Sequence, residues 1–226
     1  MSKRKAIIDD GCNPELVAGA RFDGIMEMPI IDAPSRLFIP KAIIPFTYRN
    51  RCSDPENCAV GFFEHDIQFA EVLRDPAAYV EDFRRFGAII SPDCSLYRNA
   101  PLPVQVTNVY RNRAIGSFYQ RRGIHVITLI RWGNDLSYTT KYFPERLAFL
   151  GAPKHSIIAI SPYGCARSRE DKLYFKTGLE AMLDELKPRI VLVYGSMPDK
   201  VFTEYKDKVQ FLLYPDWTSR AHGGDR

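Results

Sequence analysis

Two carboxylates and one guanidinium stand where chemistry is easiest to arrange. Asp66 follows the apolar run AVGFF (59–63), Asp93 follows GAIIS (87–91), and Arg131 closes HVITLIR (125–131). A pair of carboxylates can divide acid and base work when their surroundings push their pKa values apart, and either can act alone as base or nucleophile. Arg131 can clamp a phosphate or carboxylate through two parallel hydrogen bonds. Asp93 and Asp66 are therefore the candidate catalytic residues. Behind them comes a set suited to holding a substrate. Trp132 and Trp217 can stack on a ring, Arg131, Asn134, Tyr163 and Asp216 can hydrogen-bond, and Gly164 and Ser196 can present backbone N–H groups to an anion. A plainer reading competes, because Asp, Ser and Asn are ordinary helix caps after any strand that feeds a helix. Capping accounts for Ser168; it does not account for Arg131 beside Trp132, for Tyr163 or for Trp217.

Between Arg98 and Arg131 lie six arginines and no acidic residue. Arg98, Arg111, Arg113, Arg121 and Arg122 are candidate nucleic-acid contacts if they form one contiguous patch. A solvated helix face balanced by distant acids is the simpler expectation. Net charge is +4, which is mild.

The five cysteines, Cys12, Cys52, Cys58, Cys94 and Cys165, are odd in number and irregular in spacing, as in a reduced cytoplasmic protein. RCSDPENC (51–58) is a poor zinc motif, with no second pair and no histidines near it. Cys94 and Cys165 would be nucleophiles only with a base such as His65 close by; buried inert thiols are the expectation. No GxGxxG, Walker A, HExxH, GxSxG or paired CxxC occurs, so no nucleotide-cofactor motif is present and no metal ligand set is assigned. A divalent ion between Asp66 and Asp93 is an unsupported alternative. No apolar run reaches 18 residues, and MSKRKAIIDDG lacks a signal peptide's apolar stretch, so a cytoplasmic protein without a membrane anchor is expected.

The elements that must position these residues are legible as short apolar runs: 41–46, 59–63, 87–91, 125–131, 156–161, 189–195 and 209–214. The last five are β-branched and apolar on both faces and read as fully buried, which suits a parallel sheet covered by helices. Helical patterns lie between them. One starts at Asp75-Pro76, one covers 104–122, one covers 142–151, and one starts at a Ser168/Asp171 capping-box pair and stops at Pro188; a short one covers 198–205. The fold expected is α/β: a mostly parallel sheet of about seven strands in βα units, forming an incomplete or irregular (β/α) barrel. An open doubly wound sheet is the alternative. Residues 1–37 are expected to be an irregular arm, 38–217 a single α/β domain and 218–226 a flexible tail. In such folds sites gather at the carboxyl ends of the strands. That is where Asp66, Asp93, Arg131, Tyr163 and Ser196 all fall.

ISPDCSLY, NVYRNRAIGSFYQRRGIHVITLIRWG, SIIAISPYGCARSREDKLYFKTGLEAML and RIVLVYGSMPDKVF together resemble domain-of-unknown-function family 4417, over roughly residues 40–215. The resemblance implies a lineage spread through bacteria, phages and mobile elements, and no mechanism. The family usually carries Phe after the Pro-Asp pair, where this chain has Cys94, which weakens Cys94 as a nucleophile.

Three functions compete. An enzyme acting on a nucleotide, nucleic-acid or other phosphorylated or glycosidic substrate is favoured, because carboxylates sit beside the basic groups. A non-catalytic nucleic-acid or nucleotide-binding protein is the second, and a protein-interaction module the third.

Overall fold

The computed structural model describes residues 13–162 and 168–216. Seven strands form one parallel sheet: β3 Ala42–Pro45, β4 Cys58–Gly61, β5 Ala88–Ile90, β6 Val126–Leu129, β7 Ile157–Ile160, β8 Ile190–Tyr194 and β9 Gln210–Tyr214. Their order across the sheet is their order along the chain. A right-handed crossover repeated in one direction puts every helix on the same face. A doubly wound sheet would need a reversal, so the sheet curls into a half-barrel instead. The curl is deep. Phe63, after β4, stacks on Tyr194 at the end of β8 with ring centroids 4.4 Å apart, across the interior. Near the sheet's outer strands, the Tyr214 hydroxyl donates to the Pro40 carbonyl at 2.6 Å.

Alternation along each strand divides the core into two layers. Ala59, Ala88, Ile90, Ile127, Leu129, Ile157, Ala159 and Leu192 fill the inside of the curl. Val60, Ile89 and Val126 face outward onto Phe83 and Tyr119, while Ile158 and Val191 face Leu179 and Met182. All are buried, which is why the strands read as unbroken apolar runs.

The covering helices are α1 Ala70–Arg74, α2 Val80–Phe83, α3 Leu102–Gln120, α4 Asp135–Tyr138, α5 Arg169–Leu186 and α6 Asp199–Phe202. Helix α5 begins with the expected capping box: Ser168 Oγ accepts from Asp171 N, and Asp171 accepts from Ser168 N. Asp75 caps a 3-10 turn, Pro76–Tyr79, that leads into α2. Helix α3 has little amphipathic pattern because it is covered on two sides. The sheet lies on one. On the other, the arm places Met28 against Val109 and Ile31 against Gly116. Within that arm Phe22–Asp23 and Met28–Pro29 form β1 and β2, a two-residue antiparallel ribbon.

The expected helix at 142–151 does not form. Asn134 caps the single turn of α4 instead, and Leu147–Phe149 is a 3-10 turn. The carbonyls of Ala148 and Leu150 instead accept from the buried Arg113 guanidinium, a tertiary hold on the segment in its non-helical course, in which Leu150 has ψ 145°. Among the described residues no helix is long and apolar enough to cross a membrane.

Candidate functional site

A cavity of about 350 Å³ opens at the carboxyl ends of β4, β5 and β6, against the start of α5. On its lining, Asp93 and Arg131 face each other. Arg131 donates from Nε and Nη2 to the two carboxylate oxygens of Asp93, both at 2.5 Å. Their side chains are 5% and 14% exposed, so the pair is largely desolvated. One wall carries Trp132, whose indole Nε1 donates to the Tyr174 carbonyl at 3.2 Å and whose ring packs on Phe175. Gly178 makes this approach feasible: a Cβ there would lie 2.2 Å from the indole nitrogen. On the rim, Arg98 bridges to Asp171 at 2.6 Å and Glu170 at 2.9 Å. Hydrogen bonds from the Ser168 backbone, then from its hydroxyl and from Arg98, hold the Asp171 carboxyl at about 2.

Two polar residues of α3 fasten the strand ends beneath the pair. Asn112 donates to the Pro92 carbonyl at 2.7 Å and accepts from Ser91 Oγ at 3.1 Å, while Ser91 Oγ accepts from Leu129 N at 2.9 Å. Arg113 donates to the Leu129 carbonyl at 3.0 Å and also to Asn112. The ends of β5 and β6, which present Asp93 and Arg131, are thus tied to each other and to one helix. The polar residues that end the strand at 87–91 therefore have tertiary roles and are not helix caps. Ser91 is a buried tie and Asp93 an ion-pair partner, and neither caps α3, whose N-cap is Pro101.

The remaining sequence candidates separate. Asp66 faces the loop that follows β5, accepting from Ser95 Oγ at 2.6 Å and Ser95 N at 3.3 Å. It does not line the cavity, whereas Ser95 does. Asn134 caps α4 and donates to the Arg98 carbonyl at 2.7 Å, a structural duty. Ser196 is exposed beyond β8, and Asp216 follows β9; neither lines the cavity. Tyr163, Gly164, Trp217 and Cys165 lie outside the described residues. Cys94 is buried, and burial pushes its thiol up, away from a reactive thiolate.

The basic segment is not one patch. Arg113, 1% exposed, donates to three backbone carbonyls and is removed from any surface role. Burial presses its guanidinium down from its ordinary value, and those carbonyls offset the cost. Arg98 sits at the cavity, whereas Arg121 and Arg122 follow the far end of α3, about 28 Å away for 19 residues at 1.5 Å each. There Arg121 donates to Leu16 and Ser117, and Arg122 lies 3.4 Å over the Phe118 ring. Arg111 is exposed midway along the helix.

Sequence alone did not single out Glu64, Tyr97, Asn99 and Tyr174, all on the lining, and it gave His65 only as a base for a thiol and Asp171 only as half of a capping box. Glu64 and His65 were within reach of it, since they directly follow β4. Tyr174 and Asp171 had no such signal, because they reach the cavity from a helix. A larger groove of about 760 Å³ lies between α4, α5 and residues 205–209. It includes Lys187, Pro188, Lys208 and Val209, which precede β8 and β9, and so belongs to the amino end of the sheet, away from Asp93. Among the described residues no three of His, Cys, Asp and Glu converge as a metal site would require.

Comparison with known proteins adds lineage. The chain is 33% identical over 139 residues to the gene 1 protein of Mycobacterium phage D29, covering 62% of this chain and 49% of that protein. It is 32% identical over 139 residues to the gene 1 protein of Mycobacterium phage L5, covering 62% of this chain and 58% of that one. The chain spans about half the length of these curated relatives. No solved structure matches it. A family model, described as a domain of unknown function (DUF4417), matches residues 20–215, nearly the whole half-barrel and its arm, and the chain belongs to that family.

Proposed function

We propose that this chain is an enzyme acting on a nucleoside-type ligand, free or as a unit of a nucleotide, at the carboxyl-end cavity. The observation that carries this reading is the Asp93–Arg131 pair on the lining of an aromatic-walled cavity. A desolvated ion pair is a costly way to hold two strands together, and a hydrophobic pair of similar size would often serve stability as well or better. Its position at the strand ends, where α/β folds build their sites, supports a working role.

A nucleobase edge that carries both donors and acceptors can exchange into this pairing, its donors meeting the Asp93 oxygens and its acceptors the Arg131 N–H groups. Tyr174 and Trp132 supply ring surface, and Asn99 a further amide. The volume falls within the roughly 300–1,000 Å³ of small-ligand sites. The lining carries Glu64, Asp93 and Asp171 against Arg98 and Arg131, so a bare phosphate finds no excess of positive charge there. Asp93 is the group that would handle protons; Asp66, engaged with Ser95, is withdrawn from that role. Non-catalytic binding of nucleic acid through residues 98–131 has less support, because Arg113 is buried and the others lie far apart.

Calorimetric titration of purified protein with a panel of nucleosides and nucleotides tests the reading. At least one nucleoside should bind, and Asp93→Asn should weaken it by about tenfold or more, as for a hydrogen bond to a charged group. A thermal melt accompanies the variant, since it also breaks a buried pair. Unaltered affinity in a folded Asp93→Asn protein would remove the pair from the site. Absence of binding across the panel would overturn the nucleoside assignment.

A further inference from the structure

The cavity does not stop at its own rim. Phe63, Glu64 and His65 also line a second hollow of about 560 Å³, whose other walls are Thr47, Tyr48, Arg51 and Gln68. Three shared residues make the two hollows one cleft, with the Glu64–His65 segment as a ridge between them. The second hollow is built from the 3-10 turn Phe46–Arg51 after β3 and from residues of the turn Asp66–Phe69 after β4, so it too lies on the carboxyl rim.

Its chemistry differs from that of the inner cavity. The Arg51 guanidinium lies 5.4 Å from the centre of the Tyr48 ring and makes no ion pair among the described residues. The nearby carboxylate of Glu64 is engaged by Thr47, whose N–H donates at 3.2 Å and whose hydroxyl donates as well. An exposed cation beside a phenol ring is a combination that single-stranded nucleic acids use. The ring takes a base face and the cation takes the phosphate beside it. His65, exposed, stands on the ridge that a linking group would cross.

We propose that the ligand is a single-stranded oligonucleotide lying across the ridge, one nucleoside in the inner cavity and the next nucleotide on Tyr48 and Arg51. This rests on the nucleoside reading of the inner cavity and extends it to a polymer. A neutral oligosaccharide would use the rings equally well but would have no use for an Arg51 guanidinium that pairs with no carboxylate among the described residues, so the phosphodiester chain is the better match.

The experiment compares a mononucleotide, a short single-stranded oligonucleotide and chitotriose by calorimetry, with Arg51→Gln and Tyr48→Leu alongside the wild type. The oligonucleotide should bind about tenfold or more tighter than the mononucleotide, the contribution of one stacked base. In Tyr48→Leu that ratio should collapse toward one, and in Arg51→Gln it should fall. Arg51→Gln should also flatten the log–log salt dependence of oligonucleotide binding by about 0.7, the loss of one phosphate contact on a single strand. Arg51 is exposed, so the variant should melt like the wild type. A wild-type ratio near one, a ratio untouched by Arg51→Gln, or tighter binding of chitotriose would each overturn the proposal. Mononucleotide binding with a ratio near one would overturn the extended cleft alone. Failure of every nucleotide to bind would overturn the inner-cavity reading and this one together.

Discussion

Asp171 is the residue whose protonation the structure describes most directly. Its carboxyl is held at about 2 against an ordinary 3.8, by the Ser168 N–H first, then the Ser168 hydroxyl and Arg98. A carboxylate lowered in the folded state stabilises it fully above the unfolded value, and that contribution is lost as pH falls through the folded value. The window therefore runs from about pH 4 down to about 2. In it the first turn of α5 and the Arg98 bridge at the cavity rim should loosen. An NMR titration of the Asp171 carboxyl carbon should give a midpoint near 2, and Ser168→Ala should move it upward. A midpoint at the ordinary value in the wild type would contradict the capping geometry. Asp66 and Asp93 make the complementary point. They occupy equivalent places after neighbouring strands, yet one holds a loop and the other an arginine, because Ser95 and Arg131 are what each meets in space.

At the scale of the element, α5 bears on the site through an absence. Gly178 lies in the middle of the helix, where glycine costs about 1 kcal/mol relative to alanine. The compensation is the Trp132 indole, which lies where the side chain of any other residue would begin. Gly178→Ala should therefore destabilise the protein despite its gain in helix propensity, by about 1–3 kcal/mol for an overpacked contact. It should also displace Trp132 from its bond to the Tyr174 carbonyl and reshape the cavity wall. Urea unfolding measures the first effect. The tryptophan emission of a Trp217→Phe background, which leaves Trp132 as the reporter, measures the second. A variant as stable as its parent with unmoved emission would mean the helix yields rather than the indole. Helix α3 bears on the site differently, through Asn112 and Arg113, whose bonds to Pro92 and Leu129 set the spacing of the two strands that carry Asp93 and Arg131.

For the molecule as a whole, the decisive feature is how far the sheet curls. Chain-order strands can form a shallow open sheet as readily as a half-barrel; contacts across the interior distinguish them. The Phe63–Tyr194 stack and the Tyr214–Pro40 hydrogen bond are such contacts. Tyr214→Phe keeps the ring in place and removes only the donor, leaving the Pro40 carbonyl buried and without it. The expected loss is about 1–3 kcal/mol in chemical denaturation, the cost of a buried acceptor left unpaired. Loss of less than a few tenths of a kcal/mol would mean that water reaches Pro40 and that the curl does not depend on this bond.

The sequence by itself determined the strands, their parallel pairing and the polar end of the sheet. All seven apolar runs became strands with ends shifted by a residue or two, because a strand buried on both faces must be apolar at every position; Gln210–Tyr214, expected to be fully buried, is the exception, since it is the sheet's edge and leaves Gln210 and Leu213 exposed. The Ser168 capping box was equally legible, since both partners lie within one helical turn. Tertiary structure alone decided what each polar residue does. Arg111 and Arg113 are two residues apart and chemically alike, yet one is exposed and the other lies beneath the site, because helix α3 turns about 200° between them and faces different neighbours. Likewise the run at 142–151 has a helical pattern, but Arg113, more than thirty residues away, holds the backbone of Ala148 and Leu150 in another course. Local pattern reports what a segment can do with itself. Which distant side chain accepts or donates across the fold is set by the curl of the sheet, and no spacing within the chain encodes it.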